Sequence, residues 1–205
     1  MTLFVQLAAA EPVTKIVTIY QPNGGAHMAR IDYFDPESAS PDIVRALEGK
    51  KKINIFRMIA NSDGAGAEVL ALGQKLSHGS SLDHVDREIV ILRVGYLSVA
   101  SYEIKQHTAV ARRVGLSDDK IHAVGEYPDT SFEFNDAERD LIAFTDAVVK
   151  ETTPPEDVFR RVEGRYNRSQ IVELVLLIGF YMMVSRVMNT FEIDLETGPA
   201  ETFKF

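Results

Sequence analysis

The apolar run from Leu174 to Val184 places the strongest demand on the fold of this chain. It contains Gly179 and Tyr181 and is bounded by Glu173 and Arg186. A bilayer span needs about 20 apolar residues. The run therefore reads as a helix to be buried in protein rather than in lipid. The segment Leu3 to Ala10 is also too short to span, and it lacks the basic start of a secretory signal.

Helical patterning continues over most of the chain. Ser40-Pro41-Asp42 reads as a helix start, with Ser40 as cap and Pro41 at the first position, and Gly49 ends that helix. Ile53, Phe56, Ile59 and Ala60 keep helical spacing, as do Val69, Leu70, Leu72 and Leu76. Asp86 to about Val99 is strongly apolar, with charge only in its first turn and at Arg93. A helix from about Tyr102 to Val114 follows, ended by Gly115, and Ser117 caps another short one. Asn135 opens a helix through Lys150, Thr153-Pro154-Pro155 is a break and a new start, and Asn167 leads into a final helix to about Thr190. No alternating strand series occurs outside the leader, so the expected fold class is all-α. Residues 1–27 read differently, with a β-branched stretch from Lys15 to Tyr20 and a break at Gln21-Pro22-Asn23-Gly24-Gly25. They are expected to be an extension, flexible or loosely docked, before a domain of residues 28–205.

Composition narrows the function. The 205 residues, 45% hydrophobic and 25% charged, suit one soluble globular domain. A formal net charge of -8 argues against nucleic acid and anionic membrane as partners. The absence of cysteine removes disulfides, thiolate metal sites and cysteine nucleophiles. A cytoplasmic location is the default.

Glu103 and His107 stand one helical turn apart and share a helix face. A carboxylate beside an imidazole can take and return protons near neutral pH. The plain alternative is a solvated helix pair. Glu88 has its own alternatives: an acidic residue favoured by the helix dipole, or an ion pair with Arg87 or Arg93. No metal site is expected. The di-iron carboxylate pattern repeats Glu-x-x-His, and this chain has Glu-x-x-x-His once and no His-Glu-x-x-His. His78 and His84 read as loop residues. Gly64-Ala65-Gly66 lacks the lysine and serine of a phosphate loop, and Ser98 and Ser101 lie in no nucleophile elbow. Glu88, Tyr96 and Val99 are echoed at the same offsets by Glu173, Tyr181 and Val184, as chance or a duplicated hairpin would produce.

The segment Arg87-Glu88-Ile89-Val90-Ile91-Leu92-Arg93-Val94-Gly95-Tyr96, then Ser101-Tyr102-Glu103 to His107, then Ala111-Arg112-Arg113-Val114-Gly115-Leu116-Ser117 resembles the carboxymuconolactone decarboxylase and alkylhydroperoxidase D-like (AhpD-like) superfamily. The resemblance implies a helical bundle with a central helical hairpin, assembled as a homo-oligomer, commonly a trimer or hexamer. The peroxidase branch uses a glutamate, a Cys-x-x-Cys pair and a histidine. Laid on this chain, that pattern puts the glutamate on Glu88, the cysteines on Ala100 and Glu103, and the histidine on His107. A thiol peroxidase label would thus rest on homology alone, since neither alanine nor carboxylate can do thiol redox chemistry.

What remains resembles the decarboxylase side, which works without metal or organic cofactor on small lactone acids. On that resemblance His107 is the expected proton shuttle, Glu103 orients it and raises its pKa, and Glu88 is a second carboxylate. Tyr102, Arg186 and Asn189 are the expected substrate contacts, and Ile53 to Ala60, Tyr96 and the final helix the expected pocket wall. The expected function is a cofactor-free lyase or isomerase acting on a small organic acid or lactone. The alternatives are an atypical peroxidase and a non-catalytic oligomeric binding protein.

Overall fold

Helix-start chemistry accounts for most of the element boundaries. In the computed structural model residues 29–196 are described, and the expected extension 1–27 lies outside the described residues. Nine α-helices and a 3-10 turn at Pro36–Ser38 form that region. They are α1 Pro41–Leu47, α2 Asn54–Ile59, α3 Gly66–His78, α4 His84–Leu97, α5 Ser101–Arg113, α6 Asp118–Glu126, α7 Asp136–Glu151, α8 Glu156–Glu163 and α9 Arg168–Phe191. The all-α expectation is correct. Side chains of Ser40, Ser117, Asn135 and Asn167 accept from the first-turn amides of α1, α6, α7 and α9. Asn135 with Glu138, and Asn167 with Gln170, complete reciprocal capping boxes. One boundary differs from expectation. Asp83 accepts from Val85 N at 2.7 Å and starts α4 at His84, while His78 closes α3, so both histidines belong to helix ends rather than to a loop.

α4 is the centre of the bundle. Every residue from Arg87 to Gly95 is buried, and the helix packs against α5, α6, α7 and α9. A helix enclosed on all sides needs its polar groups satisfied internally. Arg93 shows how: its Nε and Nη2 donate to the two carboxylate oxygens of Asp146 at 2.5 and 2.8 Å. Its remaining donors reach Val124 O at 2.8 Å and Tyr127 O at 3.0 Å. One side chain thus ties α4 to α6, α7 and the connection after α6.

α9 meets the demand set by the apolar run. It buries Leu174, Leu177, Ile178, Tyr181, Val184, Ser185 and Met188. Among the described residues it is the one helix long and apolar enough to cross a membrane, but it packs against α3, α4, α5, α7 and α8 within the bundle. Its outer face leaves Val172, Val175, Leu176 and Met183 exposed. α1 and α3 pack together through Ile43, Leu47 and Leu70, and α2 lies on Tyr102, Val184 and Met188.

The α4–α5 turn is tight. Val99 adopts φ +52° where a glycine is usual, and the amide of Ala100 closes the turn on Gly95 O at 2.9 Å. This turn folds α5 back along α4 and makes the hairpin that carries the site.

The Arg93 clamp gives a direct stability test. Arg93→Ala removes the donors to both Asp146 oxygens and to the Val124, Gly125 and Tyr127 carbonyls, leaving Lys150 as the partner of Asp146 Oδ2, and should cost about 3 kcal/mol. A urea titration followed by helical circular dichroism should show the midpoint fall, and an unchanged midpoint would contradict the clamp.

Candidate functional site

The hairpin brings together two side chains 19 residues apart. Glu88 lies in the second turn of α4 and His107 in the second turn of α5, and Glu88 Oε2 meets His107 Nδ1 at 2.8 Å. The Glu88 side chain is 2% exposed and that of His107 18% exposed. An ionised carboxylate only accepts hydrogen bonds, so paired in that form it holds the imidazole proton on Nδ1. The other ring nitrogen, Nε2, is then the one that carries the lone pair. The edge of Tyr181 from α9 packs on the imidazole, with ring centroids 5.0 Å apart and planes at 89°.

This corrects the expected pairing. Glu103 does share a helix face with His107, but the two turn toward different neighbours. Glu103 Oε2 accepts from Ser185 Oγ of α9 at 2.8 Å. Its Oε1 is buried and has no hydrogen-bond partner. Glu88, rather than Glu103, orients the histidine. Neither glutamate belongs to a solvated pair, since both are buried. Gly95 makes room: a Cβ there would stand 3.2 Å from Glu103 Oε1 and 3.2 Å from Ile104 Cγ1. Burial pushes the Glu103 carboxyl up to about 8, and the Ser185 hydrogen bond offsets only part of that rise. At neutral pH the group is therefore largely the neutral acid.

Arg87 adds a cation beside Glu88. It is buried, with Nε 3.7 Å from Glu88 Oε1, and its Nε and Nη1 donate no hydrogen bond. Unused guanidinium donors in a buried site are costly, and an anionic ligand or water would satisfy them. Of the ion pairs open to Glu88, the structure supports Arg87 and assigns Arg93 to Asp146.

The expected substrate contacts divide. Tyr102 is buried and donates to Glu196, close to the end of the described residues. Asn189 donates to Ser98 O at 2.9 Å and braces the α4–α5 turn. Arg186 is exposed and donates to Met182 O in its own helix at 2.7 Å. A carboxylate clamp by Arg186 is thus not assembled with the pair. Arg87 is the arginine with open donors beside Glu88. Tyr96 leaves the expected pocket wall too, since its ring lies over Gly125 of α6. The α2 and α9 parts do line a cavity of about 310 Å³, through Met58, Ile59, Met183 and Val187. Among the described residues no three of His, Asp and Glu are grouped as a metal ion would require. Arg87, Tyr181, Ser185 and Glu196 were not among the expected site residues. For Arg87, its place beside Glu88 was the available signal.

Comparisons with known proteins bear on the family and the fold. The carboxymuconolactone decarboxylase family is matched over residues 65–147, the span that carries Glu88, Glu103 and His107. The uncharacterized protein YdfG of Bacillus subtilis is 24% identical over 116 residues, covering 56% of this chain and 78% of YdfG. An alkylhydroperoxidase AhpD core, an uncharacterized peroxidase-related protein from Ralstonia eutropha, superposes with a TM-score of 0.72 at 16% identity, over 83% of this chain and 94% of its own. A putative antioxidant defence protein AhpD from Agrobacterium tumefaciens gives a TM-score of 0.63 at 24% identity, over 73% of this chain and all of its own. At these identities the structural likeness speaks for the fold.

The raised carboxyl of Glu103 has a stability signature. The folded chain keeps a proton that the unfolded chain releases near 4.5. Its contribution is complete below pH 4.5 and is lost as pH rises toward about 8. The limiting slope is about 1.4 kcal/mol per pH unit for one proton. Denaturant midpoints of Glu103→Gln and the parent protein should diverge with pH across this window, the variant losing less. Parallel profiles would contradict a proton held on Glu103.

Proposed function

Since the chain belongs to the carboxymuconolactone decarboxylase and AhpD-like superfamily, we propose that it is an acid/base lyase or isomerase for a small organic acid or lactone, working without metal or organic cofactor. The observation that carries this reading is the 2.8 Å contact between buried Glu88 and His107 Nδ1. It supports a base at Nε2 with a fixed tautomer. Thiol peroxide reduction is closed to a chain with no cysteine.

The chemistry follows from the groups available. In a decarboxylation, the bond between the carboxylate and the substrate skeleton breaks. Its electron pair moves into the conjugated system and collects on the acyl oxygen, and carbon dioxide leaves. His107, as imidazolium, delivers a proton to carbon and regains one from water. In a double-bond shift, the same nitrogen removes a proton from one carbon and returns it to another. The open Nε and Nη1 of Arg87 would hold the oxygen where charge collects. Glu103, kept largely neutral by burial, limits the negative charge that an anionic substrate would meet. Glu88 remains the positioning carboxylate.

The reading includes a cytoplasmic homo-oligomer, a trimer or hexamer. The exposed stripe of Val172, Val175, Leu176 and Met183 on α9 supports contact between copies. Each copy carries a net charge of -8, so an uncharged surface is where copies meet with least repulsion. Leu176→Lys should lower the sedimentation coefficient of the assembly, and an unchanged value would remove this face from the interface.

Activity is tested by carbon dioxide release and ultraviolet absorbance over a panel of lactone and unsaturated carboxylic acids. For an acid that turns over, His107→Ala should reduce the rate about 100- to 10,000-fold while the helical signal stays intact. Undiminished turnover in that variant would end the assignment.

A further inference from the structure

At the end of the described residues a carboxylate sits in a set of donors that no other acceptor among the described residues fills. Glu196 Oε1 accepts from the Tyr102 hydroxyl and from Asn54 N, the latter at 2.6 Å. Glu196 Oε2 accepts from Gln106 Nε2, also at 2.6 Å. The backbone leading to it is anchored. Ile193 is buried, Asn54 Nδ2 donates to Asp194 O at 2.9 Å, and Asp194 Oδ2 accepts from Ala29 N at 3.1 Å.

The donor set is one-sided. The Tyr102 oxygen already accepts from Ile55 N at 3.4 Å, so its proton is committed to whatever stands where Glu196 stands. Tyr102 is only 4% exposed, which limits the water that could replace a lost acceptor. Gln106 and Asn54 supply N–H groups. Three donors thus face one point, two on one oxygen and one on the other, which is the shape of a carboxylate. Buried donors without an acceptor are costly, so an emptied set would take up an acceptor of that shape.

We propose that Tyr102, Gln106 and the backbone N–H of Asn54 form a receptor for small carboxylates, which Glu196 fills as an intramolecular ligand. This is a binding claim about groups outside the Glu88–His107 pair, and it stands whether or not that pair is catalytic. The two sites are nevertheless carried by neighbouring stripes of one helix. Tyr102 and Gln106 each precede by one position Glu103 and His107, about 100° round α5. The donors are uncharged and so give a modest intrinsic affinity. A tethered carboxylate at high effective concentration would therefore outcompete free ligand until it is removed.

Acetate is the probe, with chloride as the control anion. In Glu196→Ala, acetate should shift the Asn54 backbone amide and the Gln106 side-chain amide in nitrogen–proton correlation spectra, saturably and with at least tenfold higher affinity than in the parent chain. Adding Tyr102→Phe should weaken that binding roughly tenfold. Equal acetate affinity in the parent and Glu196→Ala, or no acetate-dependent shift in a folded Glu196→Ala, overturns the proposal. If that variant fails to fold, the parent chain is titrated with succinate to its solubility limit. The Asn54 and Glu196 amides should then move together as the tether is displaced, and their staying fixed overturns the proposal equally.

Discussion

A buried carboxylate holding a half-buried imidazole is the interaction on which this site depends. Glu88 is enclosed in the central helix, and His107 reaches it from the next helix at 2.8 Å. Burying an ionised carboxylate alone is prohibitive; it is tolerated when paired and hydrogen-bonded. His107 and Arg87 supply that partnership from two sides. The pair therefore joins α4 to α5 and fixes which ring nitrogen carries the proton. The tight turn at Val99 and the packing of Tyr181 hold the same geometry from outside.

The surroundings divide the acids by role. Glu88 is partnered by basic groups. Glu103, one helix over, has only the hydroxyl of Ser185 and is pushed up by burial to about 8. The two carboxyl groups of this region thus have different partners, and it is Glu103 whose proton burial favours. The resemblance lays one cysteine of the peroxidase pattern on the Glu103 position. Here a proton-bearing carboxyl occupies it, and Ala100, in the place of the other cysteine, is buried at the start of α5.

Local physics was readable in the chain; the choice of neighbour was not. Ser40, Ser117, Asn135 and Asn167 act as caps because capping depends on residues within one turn, and the helices they start were placed correctly. The resemblance identified Glu88, Glu103 and His107 as a group, and the structure brings Glu88 and His107 into contact. Helical spacing says that Glu103 and His107 share a face, but not that one turns to α9 and the other to α4. Ser185 lies 82 positions from Glu103, and Glu196 lies 94 from Tyr102. No periodicity reports contacts at such range. Arg186 has the charge suited to a carboxylate clamp, yet α9 turns it to solvent, while Arg87 follows Glu88 into the core.

The central claim is that Glu88 keeps the His107 proton on Nδ1 and leaves Nε2 as the reacting nitrogen. Long-range nitrogen–proton correlation of the selectively labelled His107 ring, recorded where the ring is neutral, reads this directly. The account predicts a protonated Nδ1, a bare Nε2, and loss of that preference in Glu88→Ala. A neutral ring carrying its proton on Nε2 in the parent chain would contradict it, because the nitrogen facing a reactant would then have no lone pair to offer.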